Sequence, residues 1–439
     1  MATKLHEIRD PIHTFIRLDS DERKVLDSFP LQRLRNIHQL ATTFLLYPGA
    51  THKRFEHSLG VMELADRVYS VITNQANIHP SVATLIPSPS EHKYQYWRIV
   101  LRMAALCHDV GHLPFSHAAE KDLLPDGWDH ERLTVEIINS DEMKRLWENL
   151  KIDPEDIAKL AVGPKKYRTK DGRRLDTWES ILAEIIVGDA FGVDRMDYLL
   201  RDSHHTGVAY GKFDHYRLID TLRVLPKEQE GKEGSEEPTL GIEEGGLHSA
   251  EALLIARYFM FKQLYLHHVR RIYDIHLMDF LLRWRRGEKL PIDLTQNLEI
   301  TDNEVMSELL KASRDREHPG HDPARRIIKR EHYKLIYRSD PTDKATNPEC
   351  AAYIYKAAAK KFGADAVRLD SYTTKGNPLN FPVWTHGKRV ISFANMSDLI
   401  EVQPPISIDY VFINPDMRED GVKWLIENRG SVIVPKGEE

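Results

Sequence analysis

The chain has 439 residues and a formal net charge of −6, from 61 basic and 67 acidic side chains. That length supports a large core and more than one domain, and the charge balance excludes the overall basic field of a nucleic-acid coat protein. Hydrophobic residues at 41% and charged residues at 29% are an ordinary globular mixture, and two cysteines, Cys107 and Cys350, exclude a disulfide framework or a Cys-rich zinc module.

The scarcity of cysteine points to a reducing, cytoplasmic setting. The opening residues, MATKLHEIRDPIH, show no apolar signal region. No run of 18 apolar residues predicts a membrane span.

In chain order, residues 20–41 read as a helix opened by a Ser/Asp cap, with Val25, Leu26, Leu31, Leu34 and Ile37 at near-helical spacing. Pro30 is expected to kink or break it. Residues 54–75 carry a second amphipathic pattern. Residues 95–108 (QYWRIVLRMAALCH) are apolar enough to predict a central helix, ending where Gly111 can take a left-handed cap. Further helices are predicted at 115–123, 129–149, 154–161, 176–189 and 194–203, and a long one at 247–286. The tail changes character: 365–370, 389–394 and 407–413 read as strands, and 347–361 and 418–428 as helices. Stretches 162–176 (basic), 226–238 (polar, acidic) and 339–348 (turn-rich) read as loops. The expected fold is mainly α, with a helical catalytic domain over 1–290 and a smaller α+β region over 291–439 for oligomerisation or regulation.

The chemistry-bearing residues cluster among 22 histidines. His108 and Asp109 adjoin at a predicted helix end, so an imidazole and a carboxylate can face one cavity. A lone His-Asp pair is common by chance. Here it sits in LCHDVGHLPFSH, with His112 and His117 close behind. Upstream, RFEHS places Arg54 and His57 on one helix face. Downstream, VDRMDYLLRD puts Asp194 at a helix start, with Asp197 and Asp202 on roughly the same side, while WDHE supplies His130 and Glu131. Each residue has an ordinary reading too: His57 as a core histidine, Asp194 as a helix cap, His117 and His130 as surface residues. Together, two histidines and two aspartates form a mixed nitrogen and oxygen shell that leaves positions open for water and phosphate.

The strings DPIH (10–13), QRLR (32–35), PGATHKRFEHSLGV (48–61), LCHDVGHLPFSH (106–117) and VDRMDYLLRDSHHTG (193–207) resemble the deoxynucleoside triphosphate (dNTP) triphosphohydrolases of the HD superfamily. That group includes bacterial dGTPase-like enzymes and the vertebrate SAM-and-HD-domain dNTPase. The likeness covers roughly residues 5–275, with a fainter echo over 330–430. It implies cleavage of a dNTP into deoxynucleoside and inorganic triphosphate. It implies metal ligands His57, His108, Asp109 and Asp194, and acid/base groups His112 and His130 with Glu131 beside the latter. Arg54, His117, Arg195, Tyr198 and Arg257 carry over as phosphate contacts, and Gln39, Asp202 and Tyr265 as sugar contacts. Arginine forks suit a triphosphate. The shell would accept Mn²⁺, Fe²⁺, Ni²⁺, Zn²⁺, Co²⁺ or Mg²⁺.

Asp27, Gln32 and Arg35 match a nucleotide effector site shared between subunits in the vertebrate relative, which implies a homo-oligomer. His6 and His268 stand where lysines are expected there. Phe261 and Leu266 depart from the pattern near the base. The basic run 311–334 offers Arg330 and Lys334 to an effector phosphate; its only aromatic residue, Tyr333, gives little for nucleic acid to stack on. Other readings stay open: a nucleotide monophosphatase or phosphodiesterase on the same framework, or a nucleotide- or nucleic-acid-binding regulatory protein.

Overall fold

The computed structural model describes residues 4–115, 120, 123–167, 174–226, 237–373, 380–399 and 406–434. The chain is mainly α-helical and divides into two compact units, neither a single stretch of sequence. The first comprises Met1–Met260, Leu290–Asn303 and Asn377–Gln403, the second Phe261–Lys289, Glu304–Gly376 and Pro404–Glu439. Among the described residues, no helix is long and apolar enough to cross a membrane.

The first unit opens with an antiparallel hairpin, His6–Asp10 with Thr14–Leu18. HEIRD carries one apolar side chain, Ile8, so it gives no alternation to read. The expected helix over 20–41 is instead two short ones, Ser20–Leu26 and Phe29–Arg33, followed by 3₁₀ turns. Pro30 stands in the first turn of the second, where a missing N–H costs nothing.

Three helices make the centre: Arg54–Ile72, His92–Cys107 and Val193–Thr206, the first packed on both others. Leu59, Met62, Leu64 and Val68 of the first, and Val100, Leu101, Met103 and Leu106 of the second, are buried. Each such side chain contributes about 2 kcal/mol of transfer free energy. The expected helix over 129–149 divides at Ser140, whose hydroxyl caps the second piece, Asp141–Leu150.

Gly111 does not take the left-handed conformation expected of it. Its role is close approach: a Cβ there would lie 2.3 Å from the His130 carbonyl oxygen and 2.4 Å from the Thr134 nitrogen. The Gly111 N–H donates to Thr134 Oγ1 at 3.0 Å, so the segment after His108 lies directly on helix His130–Ile138.

Residues 290–303 join this unit through polar contacts. Buried Arg33 donates to the carbonyls of His112 (2.9 Å) and Ile300 (3.0 Å). Asp302 accepts from the N–H and Nδ1 of His38 and from the Phe115 N–H. A four-stranded sheet completes the unit, in the order Leu222–Leu225, Thr239–Glu243, Pro382–Trp384, Val390–Ser392.

In the second unit, Ser407–Ile413 lies between Lys334–Arg338 and Val367–Thr373, antiparallel to both. Its side chains alternate between two cores. Val411 and Ile413 pack with helix Cys350–Phe362, and Ile408, Tyr410 and Phe412 pack with Tyr333 and Ile272. The helix expected over 247–286 is interrupted: Leu247–Met260 runs into a π turn, Phe261–Tyr265, and a new helix, His268–Trp284, starts where His267 Nδ1 accepts the Val269 N–H. The turn-rich stretch 339–348 contains a short helix, Pro341–Thr346, capped by Asp340. Most of the predicted helix at 115–123, and residues 227–236 of the predicted acidic loop, lie outside the described residues.

His276 is fully buried in this unit and accepts the Tyr333 N–H at Nε2 (3.2 Å). Burial pushes its pKa down from 6.5 to about 2, and the cations of Arg326, Arg368 and His332 add to the effect. The unfolded chain therefore binds this proton first. Stability is full above pH 6.5 and falls on acidification by up to about 1.4 kcal/mol per pH unit. Urea titrations from pH 7.5 to 4.5 should show this acid slope and a shallower one in His276→Gln; equal slopes would refute it. Gly111→Ala should cost about 1–3 kcal/mol through overpacking. Gly430→Ala, in helix Arg418–Ile433 with nothing within 4 Å of its Cβ, should instead stabilise by up to about 1 kcal/mol. Thermal melts of the two variants check the contrast.

Candidate metal centre

The centre forms where helix ends meet. Helix His92–Cys107 stops at Cys107, leaving its last carbonyls without intrahelical partners. His108 Nδ1 donates to one of them, Ala105 O, at 2.8 Å. That bond leaves its Nε2 bare; the atom is buried and makes no hydrogen bond. His57, in the first turn of helix Arg54–Ile72, donates from Nδ1 to Asp197 Oδ2 at 2.8 Å, which turns its Nε2 toward Asp194.

Both Nε2 atoms face one carboxylate oxygen, Asp194 Oδ1, at 3.1 Å from His57 and 3.6 Å from His108. One donor atom from each of His57, His108 and Asp194 lies within 4.8 Å of the others. Positive charge is needed between these imidazoles and the carboxylate; without an ion a proton on His57 supplies it, and a divalent ion taking that proton's place fits the same two nitrogens and one oxygen. Asp109 stands beside the group, its oxygens 3.5 Å from His108 Nε2 and 3.7 Å from His57 Nε2. All four expected ligand residues therefore come together, with Asp109 also ion-paired to Arg54.

The charges follow from this crowding. Burial opposes a charge on His57, but Asp194, Asp197 and Asp109 outweigh it and push its pKa up to about 10. Burial would raise the carboxyl pKa values of Asp109 and Asp194. Arg54 with His108 and His112 for the former, and His108 with His57 for the latter, hold them below the ordinary range instead.

His112 and His130 stack, with ring centroids 4.1 Å apart. His112 Nε2 is 3.1 Å from Asp109 Oδ1. His130 donates from Nδ1 to Glu120 Oε1 at 2.8 Å, with Glu131 at 3.3 Å. Their pKa values move apart. Burial, Arg54 and His130 drive His112 well below 6.5, whereas for His130 burial is overcome by Glu120, Glu131 and Asp109. Glu120 was not singled out in the sequence, because nothing in SHAAEK marks one glutamate as a partner for a histidine ten residues on.

Of the expected phosphate contacts, Arg54 meets Asp109, and Tyr198 lies in the electrostatic reach of Arg195, Asp194 and Arg257. Arg195 donates to the carbonyls of Gly188 and Asp189. Lys165, with help from Arg195 and Arg257, holds the Asp189 carboxyl below its usual range. His117 lies outside the described residues. Among the expected sugar contacts, Asp202 accepts from His52 Nε2 at 2.7 Å, and Gln39 Oε1 is buried with no hydrogen-bond partner. Tyr265 belongs to the second unit. The expected effector residues are not drawn into this cluster. Arg35 donates to Gln32 (2.8 Å) and stacks on Phe55, Asp27 pairs with Arg23, and Arg330 belongs to the second unit.

Residues 54–190 match the HD domain and residues 213–362 the HD associated region. A hypothetical protein from Aquifex aeolicus, solved by crystallography, superposes with a TM-score of 0.77 at 30% identity, covering 96% of this chain and 100% of that one. An uncharacterized protein from Methanocaldococcus jannaschii is 33% identical over 292 residues, 66% of this chain and 52% of that protein. The human deoxynucleoside triphosphate triphosphohydrolase SAMHD1 is 28% identical over 427 residues, 85% of this chain and 64% of that enzyme. The chain thus spans between about half and two thirds of the length of these two curated relatives. With both regions matched in order and a full-length structural relative, the chain belongs to the HD-domain family of metal-dependent phosphohydrolases.

Proposed function

We propose that this protein hydrolyses deoxynucleoside triphosphates to deoxynucleoside and inorganic triphosphate. The observation that carries the reading is that Arg195 and Arg257 both lie within electrostatic reach of Tyr198, which shares that reach with Asp194 of the metal cluster. A triphosphate brings about four negative charges, which arginine forks neutralise and orient. The likeness to a named dNTP triphosphohydrolase supports the same substrate.

Water attacks the α-phosphorus, the bond from phosphorus to the 5′ oxygen breaks, and that oxygen leaves with a proton. A divalent ion held by His57, His108, Asp194 and Asp109 would polarise the α-phosphoryl oxygen and supply hydroxide at neutral pH. His130 is the proton donor: Glu120 and Glu131 favour its charged form, while its neighbour His112 is kept neutral. Arg54, ion-paired to Asp109, is a phosphate contact in this reading, and the family resemblance adds His117 to that role. Buried Gln39 Oε1, which lacks a partner, accepts from a sugar hydroxyl. Asp202 is the second sugar contact of this reading.

Nucleotide activation belongs to the same reading. Asp27, Gln32, Arg35 and Arg330 form an effector site between copies of the chain, and the active protein is a homo-oligomer.

Purified protein incubated with each dNTP, singly and in pairs, should release deoxynucleoside and intact triphosphate, separable by ion exchange. Orthophosphate or pyrophosphate as sole product would favour the monophosphatase or phosphodiesterase reading. Dependence on a second nucleotide tests the effector site. His108→Ala with Asp109→Ala should abolish metal binding and turnover together. His130→Ala should retain metal and lose about 10²–10⁴-fold in turnover, the usual worth of a general acid. Arg257→Ala should mainly raise KM.

A further inference from the structure

The DPIH string (10–13) has no role in the chemistry above, yet it ends against the metal centre. It forms the turn of the N-terminal hairpin. Asp10 Oδ1 accepts the N–H groups of Ile12 and His13, both at 2.8 Å, which shapes the turn and turns His13 inward. His13 Nε2 then donates to Asp197 Oδ1 at 2.6 Å. The other oxygen of Asp10 accepts from Arg201 Nη1 at 2.8 Å. Arg201 in turn grips Asp197 with both remaining nitrogens, Nε to Oδ2 (2.8 Å) and Nη2 to Oδ1 (2.9 Å). His57 Nδ1 fills the last position on Oδ2.

A carboxylate offers about four acceptor sites, and here His13, His57 and the two Arg201 donors occupy all four. The side chains of His13, His57, Asp197 and Arg201 are each 0% exposed. Gly60 closes the remaining side, where a Cβ would lie 1.9 Å from Asp197 Oδ1. Asp197 therefore has one position, and its bond to His57 admits one tautomer and one ring orientation.

We propose that Asp10, His13, Arg201 and Asp197 are positioning residues of the metal centre: the hairpin turn and Arg201 lock Asp197, and Asp197 fixes His57 with Nε2 presented to the ion. The inference rests on the metal reading of His57. It makes the N-terminal hairpin, far in sequence from the HD residues, part of the metal site. A carboxylate behind a ligating imidazole also raises its basicity, and losing such a partner typically weakens metal binding 10- to 100-fold.

The test is Mn²⁺ affinity of the full-length protein, measured by competition with a chelator in the absence of any nucleotide, beside the melting temperature of the metal-free form. Asp197→Asn should weaken Mn²⁺ binding by roughly 10- to 100-fold. His13→Ala and Asp10→Asn should weaken it in the same direction by less, and His13→Gln, which keeps a donor, should recover most of the loss. The absorption bands of bound Co²⁺ should shift in the alanine variant and return in the glutamine one. Should Asp197→Asn fail to fold, the two hairpin substitutions decide alone. Folded variants that bind Mn²⁺ as the unaltered protein does, and differ only in melting temperature, would make the network structural and overturn the proposal. An unaltered protein that binds neither Mn²⁺ nor Co²⁺ would instead overturn the metal reading beneath it.

Discussion

The first unit is organised around a concentration of negative charge. Asp109, Asp194 and Asp197 approach the imidazoles of His57 and His108, with Asp109 and Asp197 buried. Desolvating a carboxylate costs several kcal/mol unless it is fully paired. The surrounding structure supplies the pairing: Arg54 for Asp109, and Arg201 and His13 for Asp197. Asp194, the most exposed of the three, faces the two imidazoles, 3.1 Å from His57 Nε2 and 3.6 Å from His108 Nε2. In the proposed reading Asp194 and Asp109 meet the ion, and Asp197 keeps the geometry fixed behind His57.

This constraint accounts for features that look unrelated in the chain. Helix His92–Cys107 must end where it does so that the carbonyl of Ala105 can hold His108. Helix Arg54–Ile72 must approach Val193–Thr206 closely enough for His57 to reach Asp197, and Gly60 permits it. Gly111 does the same on the other side, bringing His130 onto His112. Buried Arg33 and Asp302 tether the segment after His108 by its backbone groups. The candidate metal centre and the stacked pair His112 and His130 are thus held by two glycines and a few buried ion pairs as much as by apolar packing.

Electrostatics also separates tasks among chemically similar residues. His57 and His108 have Nδ1 tied to acceptors and present Nε2 together. His112 and His130 stack at 4.1 Å, so charge on one disfavours charge on the other, and Glu120 settles it toward His130. No composition argument could sort these histidines, because their difference lies in what each Nδ1 touches.

The sequence by itself determined the mainly helical class, because long amphipathic runs such as 54–75 and 95–108 carry a 3.6-residue period that packing does not alter. It also brought out His57, His108, Asp109 and Asp194, since short motifs at helix ends leave a local trace. The tertiary structure decided what depends on distant contacts. The hairpin HEIRD–TFIRL lacks alternation and exists through pairing. The alternating cores on Ser407–Ile413 and the break at Phe261–Tyr265 are set by neighbours remote in the chain. Gly111 read as a cap, and both it and Gly60 became close-approach sites once other helices lay against them. Glu120, His13 and Arg201 acquired meaning only when folding set them against His130 and Asp197, because a buried charge is defined by its partners and one-dimensional spacing does not record them.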